Sequence, residues 1–82
     1  MKENRLAVVG ILVKNRKTSS DMVNHILSEF GDIIVGRMGI PYREKGISVI
    51  ALIINGTTDE IGALTGKLGN IDGVKVRSAI TT

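Results

Sequence analysis

Ile47-Ser48-Val49-Ile50-Ala51-Leu52-Ile53-Ile54 is the stretch that decides the fold. It has no charge and is dominated by β-branched residues. Such a run is too short for a convincing helix and reads as a buried strand. Leu6–Val13 (LAVVGILV) has the same character. Two further runs, Ile33–Ile40 and Val74–Ile80, also read as strands, but each carries charge: Arg37 in the first, Lys75 and Arg77 in the second.

Between these runs lie two helical patterns. The first opens at Thr18-Ser19-Ser20, three residues suited to cap a helix, with Asp21 placed in the first turn, where the helix dipole favours an anion. Met22, Val23, Ile26, Leu27 and Phe30 then fall on one face, and Gly31 is expected to end the helix as a C′ glycine. The second opens with Thr57-x-x-Glu60, a capping-box pattern. Ile61, Leu64 and Leu68 form its stripe, and Gly69-Asn70 stops it.

The order strand, helix, strand, strand, helix, strand is the split βαβ arrangement of the ferredoxin-like fold. The expected class is therefore α+β: a βαββαβ domain over residues 1–82, with a four-stranded antiparallel sheet in the order 4-1-3-2 and two helices on one face. The strand chemistry agrees with this. The topology makes the first and third strands central, and these are the two uncharged runs. The charged runs fall at the edges, where charge discourages pairing with other chains.

Alternation along the strands gives the sheet a second apolar face. Ile47, Val49, Ala51 and Ile53 point away from Ser48, Ile50, Leu52 and Ile54, and Leu6, Val8 and Leu12 away from Ala7, Val9, Ile11 and Val13. A monomer would leave one of these faces in water, so a homodimer or tetramer closed through that face is expected.

Composition narrows the chemistry. At 82 residues the chain is one domain, and domains of this size bury only about 60% of the surface of the unfolded chain. There is no cysteine, which removes disulfides, thiolate zinc sites and cysteine nucleophiles. The net charge of +3 arises from eleven cations interspersed with eight carboxylates, the balance of a solvated surface rather than a nucleic-acid footprint. One Phe and one Tyr cannot form the stacking platform of a sheet that binds RNA. Leu6–Val13 lacks the cleavage site of a signal peptide and is far shorter than the roughly 20 residues of a membrane span, so a cytoplasmic location is expected.

The topology gathers Lys14, Asn15, Arg16, Lys17, Thr18 and Ser19, the hairpin residues Tyr42, Arg43, Glu44 and Lys45, and Lys67 at one end. That end also holds the N-terminus of the first helix. The combination suits a small anionic or amino-acid-like ligand, although loops are also polar simply because they are solvated. Arg37, inside an otherwise apolar strand between Gly36 and Gly39, admits two readings. It either blunts the edge or forms an ion pair between subunits, or it contacts a ligand between subunits. The candidate ligand-binding set is Asn15, Arg16, Lys17, Thr18, Ser19, Arg37, Tyr42 and Arg43.

Other features argue against catalysis. Gly62-Ala63-Leu64-Thr65-Gly66-Lys67-Leu68-Gly69 fails as a phosphate loop, because its spacer is one residue short and Leu68 stands where a hydroxyl is needed. Gly62 and Gly66 are read instead as allowing close approach of a neighbour. His25, the only histidine, falls opposite the apolar stripe. No carboxylates pair for acid–base work, and no cluster of ligands suits a metal. No cofactor is specified.

The chain resembles the iron-only hydrogenase system regulators. The resemblance rests on Asp32–Tyr42 (DIIVGRMGIPY), Gly46–Ile50 (GISVI), Leu64–Gly69 (LTGKLG) and Gly73–Val76 (GVKV). It implies an ACT-like fold, similar to the C-terminal domain of nickel-responsive repressors, and a regulatory role beside hydrogenase maturation. Two departures from those repressors matter. Those repressors carry a DNA-binding segment before this domain, whereas here Met1–Asn4 precede the first strand. They bind nickel through several histidines and a cysteine, whereas here there is one histidine and no cysteine. Neither direct operator binding nor nickel sensing at that site is therefore expected. ACT-like modules bind small ligands, commonly amino acids, near the first strand–helix loop and across subunit interfaces. The resemblance thus implies a ligand-sensing oligomer acting through a partner protein. A purely structural docking module is the alternative.

Overall fold

The computed structural model describes residues 3–14 and 17–82. The elements are β1 (Arg5–Lys14), α1 (Lys17–Glu29), β2 (Ile34–Tyr42), β3 (Ile47–Gly56), α2 (Thr58–Gly69) and β4 (Val74–Ile80). A 3₁₀ turn at Gly31–Ile33 leads into β2, and another at Arg43–Lys45 joins β2 to β3. Every strand pair is antiparallel and the order is β2-β3-β1-β4. This is the expected 4-1-3-2 order read from the other edge, with the two charge-free runs at the centre.

The core lies between the sheet and the helices. Ala7, Val9, Ile11 and Val13 of β1 and Ile50, Leu52 and Ile54 of β3 are buried against Val23 and Leu27 of α1 and Ile61, Leu64 and Leu68 of α2. Strand alternation leaves Leu6, Val8, Leu12, Val49 and Ile53 exposed on the opposite face, joined by Met38, Ile40 and Tyr42 of β2. Val35 is the extra residue of a bulge between Ile34 and Gly36, which bends the edge strand as it enters the sheet.

Turn chemistry fixes the two sharpest reversals. Gly46 (φ 63°) closes the hairpin and donates its N–H to the Arg43 carbonyl at 3.0 Å; Gly73 (φ 82°) turns the chain into β4. The expected capping box is present: the Thr57 N–H donates to Glu60 Oε1 at 2.8 Å, and the Glu60 N–H to Thr57 Oγ1 at 3.2 Å.

Several local expectations are corrected. Helix α1 already includes Lys17, so Thr18, Ser19 and Ser20 lie inside it rather than capping it, and Asp21 falls beyond the first turn. Ser19 is buried, and its hydroxyl donates to the Asp72 carbonyl at 2.9 Å, an interaction that sequence spacing does not reveal. Met22 is exposed because the buried stripe runs through Ser19, Val23 and Leu27. Gly31 does not adopt the left-handed conformation; the chain instead tightens into the 3₁₀ turn. Gly62 and Gly66 approach nothing, since a Cβ at either would find no atom within 4 Å. With Ile61, Leu64 and Leu68 turned inward, these two glycines face away from the sheet.

Candidate ligand groove between the first helix and the edge strand

The helix-facing positions of β2 are Arg37, Gly39 and Pro41, opposite Leu52, Ile50 and Ser48 of β3. In the middle of that row Gly39 has no side chain to fill the space beneath α1. The result is a groove of about 190 Å³ between helix and edge strand. Val13, Val23, Ile50 and Pro41 give it apolar walls, while Ser20 and Asn24 of α1, Arg37 of β2 and Ser48 of β3 supply polar groups. Its volume falls below the roughly 300–1,000 Å³ of drug-sized sites, which suits a small organic ion rather than a nucleotide.

Among the described residues that line it, Arg37 supplies the only charge. Its Nη2 donates to Asn24 Oδ1 at 3.4 Å, longer than the usual 2.7–3.2 Å, leaving most of the guanidinium's five donors uncommitted. Ser20 and Ser48 are half-buried, and among the described residues their hydroxyls have no protein partner. A planar cation beside an amide, two hydroxyls and an apolar wall can hold a carboxylate by a bidentate contact and pack a short aliphatic part against the wall.

The predicted site residues separate in space. Arg37 lines the groove, whereas Tyr42 pairs with Ile47 and so belongs to the open face of the sheet. Lys17 and Thr18 are exposed at the start of α1, and Arg43 is exposed in the hairpin turn. Lys17 Nζ donates to Asp21 Oδ2 at 2.9 Å, and this hydrogen bond, reinforced by the opposite charge, raises the Lys17 pKa. Ser19 is engaged with Asp72. Asn15 and Arg16 lie outside the described residues.

Lys67, expected near the loop end, turns the other way: its Nζ sits 3.8 Å from Glu29 Oε2 and 5.5 Å from the centre of the Phe30 ring. Helical side chains lean toward the N-terminus of their helix, which carries this one back along α2. His25 is exposed, with Nε2 3.9 Å from Glu29 Oε1. Sequence reasoning missed Ser20, Asn24 and Ser48. Ser20 and Asn24 are spaced i, i+4 beside the apolar stripe, and Ser48 is the one polar residue of an otherwise apolar run.

The TM1266-like family model, described as an iron-only hydrogenase system regulator, matches residues 5–78. The chain belongs to this family. The solved structure of the uncharacterized protein TM1266 from Thermotoga maritima is 38% identical to this regulator-family chain, with a TM-score of 0.96 over 98% of this chain and 100% of that one. The ACT domain of GTP pyrophosphokinase from Chlorobium tepidum is similar in fold at 23% identity, with a TM-score of 0.78 over 93% of this chain and 99% of that one. The regulatory subunit of aspartate kinase from Thermus flavus matches at 16% identity and a TM-score of 0.57, over 98% of this chain and 59% of that one. No curated protein matches the chain. The TM1266-like chain therefore has the ACT-like fold. Among its described residues no helix is long and apolar enough to cross a membrane, and no group of three or more His, Cys, Asp or Glu is placed to hold a metal ion.

Proposed function

We propose that this chain is a cytoplasmic, non-catalytic regulatory module of the iron-only hydrogenase system. It senses a small anionic or amino-acid-like ligand as a homo-oligomer and acts through a partner protein. The observation that carries the sensing role is the groove at the edge of the sheet, where Arg37, Asn24, Ser20 and Ser48 converge beside an apolar wall. Arg37 would take the ligand's carboxylate and the two serines its remaining polar groups. Lys17, Thr18 and Arg43 would add positive and polar character at the same end of the fold, and Tyr42 would lie toward a neighbouring subunit. Asn15 and Arg16 would join this ligand-binding set on the strength of their sequence.

The open sheet face supports assembly. Val8, Val49, Ile53, Met38 and Ile40 all reach water on one side of one sheet, an apolar area of a kind that soluble monomers keep small. A second copy presents the same face, so pairing the two faces removes both from water. That face alone also favours a structural docking role, which differs from sensing in requiring no small ligand. Titration of ¹⁵N-labelled chain with α-amino acids and short carboxylates separates the two. Sensing predicts amide shifts concentrated at Ser20, Asn24, Arg37 and Ser48; spectra unmoved by every compound favour docking.

A further inference from the structure

The charges on the four strands share one sign. All eight carboxylates lie outside the strands, in the helices, the turns or the segment before β1, while β4 carries Lys75 and Arg77. Register places both cations on the open face, Lys75 opposite Leu12 and Arg77 opposite Gly10. Neither forms an ion pair among the described residues, and Arg77 satisfies one donor on the Val76 carbonyl at 2.8 Å. Beside them the face is indented. A Cβ at Gly10 would meet nothing within 4 Å, and the resulting hollow of about 350 Å³ is lined by Gly10, Ile11, Leu12, Val49, Lys75 and Arg77.

This has a consequence for the sheet-face oligomer proposed above, on which the inference rests. Two copies related by a two-fold axis present the same surface to each other, so neither offers a carboxylate from its strands to the other's cations. Closing the faces would then take Lys75 and Arg77 toward a low-dielectric interface without a counter-charge, and that is costly. A bound oxyanion removes the penalty, because Arg and Lys both suit phosphate and carboxylate oxygens. We propose that the hollow over Gly10 takes a small multivalent oxyanion, a phosphate or a polycarboxylate, between Lys75 and Arg77, and that its occupancy promotes closure of the sheet faces. The site is separate from the Arg37 groove, which lies on the other face.

Sedimentation equilibrium of the full chain tests this at fixed ionic strength, with chloride replaced in part by inorganic phosphate or by citrate. Self-association is expected to tighten at least about tenfold in one or both. The Lys75→Gln/Arg77→Gln double variant should associate equally in all three salts, and Gly10→Val, which fills the hollow but keeps both cations, should lose most of the response. A response to phosphate alone assigns a phosphate site, and to citrate alone a polycarboxylate site. Self-association indifferent to both salts overturns the anion site while leaving the oligomer standing. An unchanged salt response in the double variant also overturns it, since general strengthening of apolar burial by such salts would explain that result. A wild-type monomer in every salt overturns both the site and the oligomer. All three substituted positions are exposed, so native circular dichroism is expected for each variant.

Discussion

The Ser19 hydroxyl and the Asp72 carbonyl meet at 2.9 Å, tying the first turn of α1 to the turn that leads into β4. The same corner is tightened by the Lys14 N–H, which donates to the Gly73 carbonyl at 2.9 Å. A Cβ added at Gly73 would lie 3.3 Å from the Lys14 Cβ and 3.5 Å from the Ser19 Oγ. The end of the fold that carries the loops is therefore held by hydrogen bonds and close packing.

Ser19→Ala removes that bond without adding bulk. The expected cost is about 1 kcal/mol, the net worth of an ordinary hydrogen bond in a folded protein. In a domain of this size that lowers Tm by about 4–8 °C, measured by circular dichroism. An unchanged Tm would mean that packing and the Lys14–Gly73 hydrogen bond hold the corner without the Ser19 hydroxyl.

Thr57→Ala should destabilise by about 1 kcal/mol, since it leaves the Glu60 N–H without its cap. Thr57→Asp, which keeps an acceptor at that position, should retain most of the stability. Urea midpoints at constant slope make the comparison.

The Lys17–Asp21 pair gives a dependence on pH. Its hydrogen bond and charge raise the Lys17 pKa above the ordinary lysine value. A raised folded-state pKa contributes stability that is fully present below the unfolded value and is lost as pH rises through the folded one. Asp21→Asn should therefore lower Tm slightly at pH 8, and the gap should close as pH is raised past 10.5. Because both side chains are exposed, added salt should shrink the gap as well.

Ile53, half exposed at the centre of the open face, tests the assembly. Ile53→Glu should leave the fold intact, because the side chain lies on the open face, on the opposite side of the sheet from the helix-covered core, while a carboxylate inside an apolar interface is strongly unfavourable. Sedimentation should show an oligomer for the wild type and a monomer for the variant. Equal association of both would remove the open face from the interface.

The central strands and the topology were legible because strand alternation and the absence of charge are properties of consecutive residues. The helical stripe of α2 was legible for a similar reason: Ile61, Leu64 and Leu68 repeat at helical spacing and all three are buried. The α1 boundary was not. Ser19 reads as a cap until the Asp72 carbonyl, far along the chain, is brought against it. The groove was half legible. Arg37 stood out as a charge in an apolar run, and two glycines flanked it. Alternation puts Arg37 and Gly39 on one side of the edge strand and Tyr42 on the other; what the pattern could not show is which side faces the helices, because the Val35 bulge and the pairing register set that.

The most direct test of ligand sensing compares thermal unfolding of wild type and Arg37→Ala against a panel of α-amino acids and short carboxylates. Arg37 is exposed and its one bond to Asn24 is long, so the variant alone should be nearly as stable as the wild type. At a ligand concentration about a hundred times Kd, the wild type should gain about 2.7 kcal/mol and its Tm should rise by about 10–20 °C. Arg37→Ala should lose most of that rise. A panel in which no compound raises the wild-type Tm, or one whose active compound stabilises Arg37→Ala equally, would contradict the account.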